Sequence, residues 1–130
     1  MPAKRAGSAV PEFEHVKIPA GDLIEIEHGV PSLGDRPIIG LLRGDGIGLD
    51  ITPVMQSVVK AALDKAYGRK REIVWCPIFA GLEGWQRYRE VLSEETVQAI
   101  RYLKVAIKGP FTTPIGVQTH VCLHCASQQN

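Results

Sequence analysis

Pro37-Ile-Ile-Gly-Leu-Leu-Arg-Gly-Asp-Gly-Ile-Gly48, continued by Leu49-Asp-Ile-Thr-Pro53, is the stretch on which the fold turns. Ile38, Ile39, Leu41 and Leu42 predict a buried strand, and Arg43 to Gly48 a glycine-rich turn. Thr52-Pro53 predicts a helix start, with the cap at Thr52 and proline at the first helical position. The unit is therefore β-turn-α. Its glycines fall at 44, 46 and 48, whereas a dinucleotide turn of the form G-x-G-x-x-G needs its third glycine where Leu49 stands. Asp45 inside the turn would also repel a phosphate. A Rossmann cofactor site is thus not expected here, and what the turn supplies is a backbone free to approach a ligand or a neighbouring strand.

Working outward, Val54, Met55, Val58, Val59, Ala62, Leu63 and Ala66 recur at helical spacing and predict one apolar helix face, ending at Tyr67-Gly68. That face needs a sheet to cover, and left alone it would favour aggregation or partner binding. Glu72 to Cys76 reads as the next strand, with Pro77 at a strand end or sheet edge. Ala80 to Gly84 reads as a loop, and Trp85 to Glu90 is too short and polar to assign. Ser93 caps a helix from Glu94 to Tyr102, acidic at its start and basic at its end, with Val97, Ile100 and Leu103 as its buried stripe. The β, α, β, α, β succession from Ile38 to Ile107 is the rhythm of a doubly wound α/β sheet.

The most site-like stretch is Val105-Ala-Ile-Lys-Gly-Pro-Phe-Thr-Thr-Pro-Ile-Gly116. Val105 to Ile107 predict a strand covered on both faces, and Gly109-Pro110 ends it. Lys108 then stands at a strand's carboxyl end, the edge where open α/β sheets bind ligands, with Thr112 and Thr113 adding two hydroxyls for an anion. The same residues also suit an ordinary strand that ends in a solvated lysine and a proline turn.

Composition limits the remaining choices. With 15 Lys and Arg against 14 Asp and Glu among 130 residues, the net charge is +1, and Arg69-Lys70-Arg71 is the main basic cluster, so a nucleic-acid partner is not expected. No window approaches a membrane span, and the N-terminus lacks the apolar segment of a signal peptide, so the expected location is cytoplasmic. Three cysteines fit a reducing compartment with free thiols, and Cys76, without a neighbouring cation, reads as an inert buried thiol. Residues 1–20 carry no clear period and read as a poorly ordered arm, while Leu23 to Glu27, His28-Gly29 and Val30 to Leu33 read as a small hairpin. His28 has no second metal ligand at a useful spacing and reads as solvated.

From about Pro37 to Gly116 the chain closely resembles the N-terminal part of bacterial and archaeal NADP-dependent isocitrate dehydrogenase, in the isocitrate/isopropylmalate dehydrogenase family. The resemblance rests on Pro37-Ile-Ile, Gly44 to Gly48, Thr52-Pro53, Lys65-Ala-Tyr67 and above all Val105 to Gly116. The Lys-Gly-Pro-x-Thr-Thr-Pro pattern favours isocitrate over isopropylmalate, which stays open as a second alternative. The resemblance implies a partial α/β sheet with flanking helices, not a Rossmann domain, and a homodimer using NADP and a Mg or Mn ion to convert isocitrate to 2-oxoglutarate. It further implies that Thr112 and Ile47 contact the cofactor and that Lys108 and Thr113 line the substrate side. Catalytic and metal-binding residues are not expected among those present.

The likeness breaks at Val117, where the family's arginine-bearing segment gives way to Val117 to Asn130, a stretch without Arg, Lys, Asp or Glu. The expected organisation is an arm and hairpin over 1–36, the family portion over 37–116, and an unrelated, disordered tail over 117–130. His120, Cys122, His124 and Cys125 crowd one short run, which suits a structural zinc site poorly because such sites draw ligands from separated segments. A chain of this extent is expected to be inactive and marginally stable alone, with NADP and metal not held stably. The alternative is a protein-interaction or complementing module without catalysis.

Overall fold

The computed structural model describes residues 11–112. A parallel three-stranded sheet forms from β3 (Ile38–Leu42), β4 (Val74–Pro77) and β5 (Ala106–Lys108), in the order β4-β3-β5. Ahead of it, β1 (Glu25–Glu27) and β2 (Val30–Ser32) make the expected hairpin, closed by His28 and Gly29 at φ 51° and 79°. Two successive left-handed residues match the right-handed twist of a tight hairpin. His28 takes a conformation that costs a side chain something, and Gly29 takes it freely.

The helices are α1 (Gly48–Tyr67), α2 (Gly81–Tyr88) and α3 (Glu94–Leu103). The chain leaves central β3 through α1 to reach β4, then returns through α2 and α3 to β5 on the other side of β3. This α/β succession matches the reading of the sequence. The core gathers Val16, Ile38, Leu42, Cys76, Ile78, Ala80, Ala99 and Leu103. α3 packs against β3, and Gly40 makes room there: a Cβ on it would meet Ile78 Cδ1 at 2.7 Å and Leu103 Cδ1 at 3.5 Å. Ser93 caps α3 as expected, its hydroxyl accepting the Thr96 N–H at 3.2 Å.

Several expectations are corrected. α1 begins at Gly48, not at Thr52, because the glycine turn winds directly into the helix through Gly48, Leu49 and Asp50 N–H bonds to the carbonyls of Asp45, Gly46 and Ile47. Thr52 is buried one turn in, its hydroxyl donating to the Gly48 carbonyl at 2.6 Å, and Pro53 lies inside the helix. The α1 apolar face is only partly covered. Met55, Val59 and Leu63 are half-buried, with Val59 and Leu63 lining a 580 Å³ cleft shared with Trp75, whereas Val54 and Val58 stay exposed.

Ala80 to Gly84 is not a loop, since α2 starts at Gly81. The buried residues of α3 are Thr96, Ala99 and Leu103, with Val97 and Ile100 at the margin. β5 is an edge strand among the described residues, and Ile107 is 38% exposed, so the expected cover on both faces is absent there. The arm expected to be poorly ordered through residue 20 is fixed over part of its length. Val16 is in the core, Phe13 packs on it, and the N–H groups of His15 and Val16 bond to Glu95 Oε1 at 2.8 and 3.4 Å.

Candidate functional site at the carboxyl edge of the sheet

Because β3, β4 and β5 are parallel, the segments that follow them emerge at one edge. They are the turn from Arg43 to Ile47, the entry to α2, and Gly109 to Thr112. The first and third are docked backbone to backbone. Gly109 N–H donates to the Leu42 carbonyl at 2.7 Å and Asp45 N–H to the Pro110 carbonyl at 2.8 Å. Gly44, at φ 82°, is required: a Cβ there would collide with the Pro110 carbonyl oxygen. Of the two partners the sequence allowed for this turn, the neighbouring strand and its loop are what it meets.

At the centre of the three segments is Asp45, 4% exposed. Its Oδ1 accepts the Leu82 N–H at 3.0 Å, in the first turn of α2, and its Oδ2 accepts the Thr112 N–H at 3.1 Å. Gly81 closes the arrangement, since a Cβ on it would stand 2.7 Å from Asp45 Oδ2 and 2.8 Å from Phe111 Cδ1. Arg43 adds an ion pair to Glu83 of α2. The N–H groups of Asp45 in the turn and of Gly48, Leu49 and Asp50 at the start of α1 are bonded to protein carbonyls.

Each expected site residue can now be placed. Ile47 sits at the α1 N-cap, 64% exposed. Thr112 is exposed beside the same turn, where a Cβ on Gly46 would lie 3.9 Å from its Oγ1. Ile47 follows Gly46 in the chain, so both residues expected at the cofactor belong to the segments at this edge. Lys108 ends β5 opposite Leu42 and is exposed, its ammonium donating to the Gly109 carbonyl at 2.8 Å and lying 4.4 Å from the Phe111 ring centroid. Thr113 and the four tail residues His120, Cys122, His124 and Cys125 lie outside the described residues. Asp45 itself was legible only as a charge unfriendly to phosphate; its role depends on partners far along the chain.

A Mg or Mn ion does not fit what is described. Among the described residues no three His, Cys, Asp or Glu side chains converge, and the buried carboxylate of Asp45 is taken by two amides. Cys76 is fully buried, and burial pushes its thiol up to about 11, as expected of an inert core cysteine. No described helix is long and apolar enough to cross a membrane.

The site is thus a parallel α/β sheet whose glycine turn is docked to a Lys-Gly-Pro-Phe-Thr loop at the carboxyl edge. A profile of isocitrate/isopropylmalate dehydrogenases matches residues 38–124, and the chain belongs to that family. Among its relatives is the NADP isocitrate dehydrogenase of Coxiella burnetii, 45% identical over 113 residues, which cover 85% of this chain and 26% of that protein. That of a Nostoc species is 47% identical over 98 residues, 74% of this chain and 21% of the other. The crystal structure of isocitrate dehydrogenase from Methylococcus capsulatus superposes with a TM-score of 0.57 at 27% identity, over 70% of this chain and 25% of that one. The chain thus spans about a quarter of the length of these relatives.

Proposed function

We propose that this chain carries one wall of the ligand cleft of an NADP-dependent isocitrate dehydrogenase. In that reading Ile47 and Thr112 form the cofactor lip, and Lys108 with Thr113 faces isocitrate. The reaction is oxidative decarboxylation: hydride leaves the hydroxyl carbon of isocitrate for NADP, and loss of CO2 gives 2-oxoglutarate. Lys108, an exposed cation at the sheet's carboxyl edge, suits a carboxylate of the substrate. What supports the reading is that Ile47 and Thr112 are both exposed at the glycine turn, in a chain 45% identical to an NADP isocitrate dehydrogenase.

In this reading the remaining parts of the cleft are those the family carries beyond the stretch matched here, and the working enzyme is a cytoplasmic homodimer. The Mg or Mn ion and its ligands come with them. The 130-residue chain by itself holds neither NADP nor isocitrate firmly and turns nothing over. The test is co-expression with the later three-quarters of the Coxiella burnetii enzyme, followed by an assay of isocitrate-dependent NADPH formation. Activity is expected in the pair, with Lys108→Ala lowering it by about 10- to 100-fold, the range for a lost hydrogen bond to a charged group. A paired complex as active with Lys108→Ala as without it would remove Lys108 from the site.

A further inference from the structure

We propose that Asp45 is a positioning residue: its buried carboxylate fixes the Thr112 loop against the glycine turn, so that the cofactor lip is rigid before any ligand arrives. A carboxylate taken out of water costs several kcal/mol unless its oxygens are hydrogen-bonded. Here each oxygen has its own donor from a different segment, Leu82 N–H on Oδ1 and Thr112 N–H on Oδ2. The positive end of α2 lies behind the Leu82 donor and favours the negative charge. Asparagine offers only one acceptor and would turn an N–H group toward one of the two amides, so the negative charge at position 45 answers to two donors at once.

The carboxylate is closely surrounded, at 4% exposure of the residue. Gly81 at φ 66° abuts Asp45 Oδ2 and Phe111, and the Asp45 N–H is itself held by the Pro110 carbonyl. One residue is therefore bonded at its backbone to Pro110 and at its side chain to Thr112, two points of the same loop. Thr112 is an exposed residue whose amide donates to this carboxylate, so slow exchange of that amide reports the bond. The inference rests on the cofactor reading only for the purpose of the lip.

The test is amide hydrogen exchange by NMR on the full chain, unsubstituted and as Asp45→Asn and Asp45→Ala. In the unsubstituted chain the Leu82 and Thr112 amides are expected to exchange at least about tenfold more slowly than free amides. Asp45→Asn should release one of them and Asp45→Ala both, while the Ile38 and Gly40 amides of β3 keep their protection. Rescue of one amide by asparagine and neither by alanine is a signature that a general loss of stability does not produce. Freely exchanging Thr112 and Leu82 amides in the unsubstituted chain would overturn the proposal, and so would a uniform loss across β3 in the variants. The unsubstituted chain decides the matter even if neither variant folds. Adding NADP separates the two readings: a protected Thr112 with no NADP response in the complemented enzyme would sink the cofactor role and leave the positioning role standing.

Discussion

Asp45 and Thr112 stand 67 positions apart and are joined by a hydrogen bond of 3.1 Å from the Thr112 amide to the Asp45 carboxylate. Through that bond the first strand-turn-helix unit of the sheet reaches the loop after its last described strand. Gly44 lets the turn approach the same loop, since a Cβ on it would collide with the Pro110 carbonyl oxygen.

Gly44 and Gly68 both have left-handed backbones, at φ 82° and 59°, but their surroundings differ. Nothing lies within 4 Å of a Cβ on Gly68, while one on Gly44 strikes the Pro110 carbonyl. Gly68→Ala should therefore cost only its conformational penalty, about 1 kcal/mol. Gly44→Ala should cost at least about 2 kcal/mol, because the docked backbones must also separate. Urea midpoints of the two variants check the difference, and equal losses would contradict the docking.

Glu95 ties the N-terminal arm to the first turn of α3. Burial alone would raise its pKa, but the hydrogen bonds it accepts, led by that from the His15 N–H, outweigh burial and hold it below the ordinary 4.5. A lowered carboxylate pKa contributes stability that is complete above the unfolded value and lost as pH falls through the folded one. Stability should thus decline as the solution is acidified below about pH 4.5, with the His15 and Val16 amides losing protection first, relative to their intrinsic exchange rates at each pH. Glu95→Gln should flatten that part of the pH profile; an unchanged slope would remove Glu95 from the arm's attachment.

Cys76 should resist alkylation. Its thiol is inaccessible and burial pushes its pKa up to about 11, so at neutral pH the reactive thiolate is scarce. Mass spectrometry after brief iodoacetamide treatment should find Cys76 unmodified in the folded chain and modified after addition of urea. Rapid modification without denaturant would show the core opening.

Ser93→Ala should destabilise α3 by about 1 kcal/mol, the usual cost of a lost N-cap. The loss extends beyond the helix end, since the Ser93 hydroxyl is also within 3.0 Å of Thr96 Oγ1, which donates to the Phe79 carbonyl at 2.5 Å. Circular dichroism during thermal unfolding would show it as a lower midpoint.

What the sequence made legible was local. The apolar run of β3, the His28-Gly29 turn and the Ser93 cap depend on neighbours within a few positions, and the structure has each where it was expected. The failures lie where distant chain decides. α2 was hidden by Gly81 and Gly84, which read as loop residues; Gly81 leaves space for Asp45, and a Cβ on Gly84 would come within 2.9 Å of the Val91 carbonyl. Thr52-Pro53 imitated a helix start because nothing local announces that the preceding glycine turn already winds into α1. At the site, Lys108 and Thr112 were visible from the strand-end motif, whereas Asp45 gains its meaning only from Leu82 and Thr112.

The most direct test of the proposed function is an assay for NADPH with the purified 130-residue chain, isocitrate, NADP and Mg, run beside the complemented pair. On the proposed reading the chain supplies one cleft wall, so NADPH is expected to form in the pair and not with the chain alone. NADPH produced by the chain alone would contradict the account.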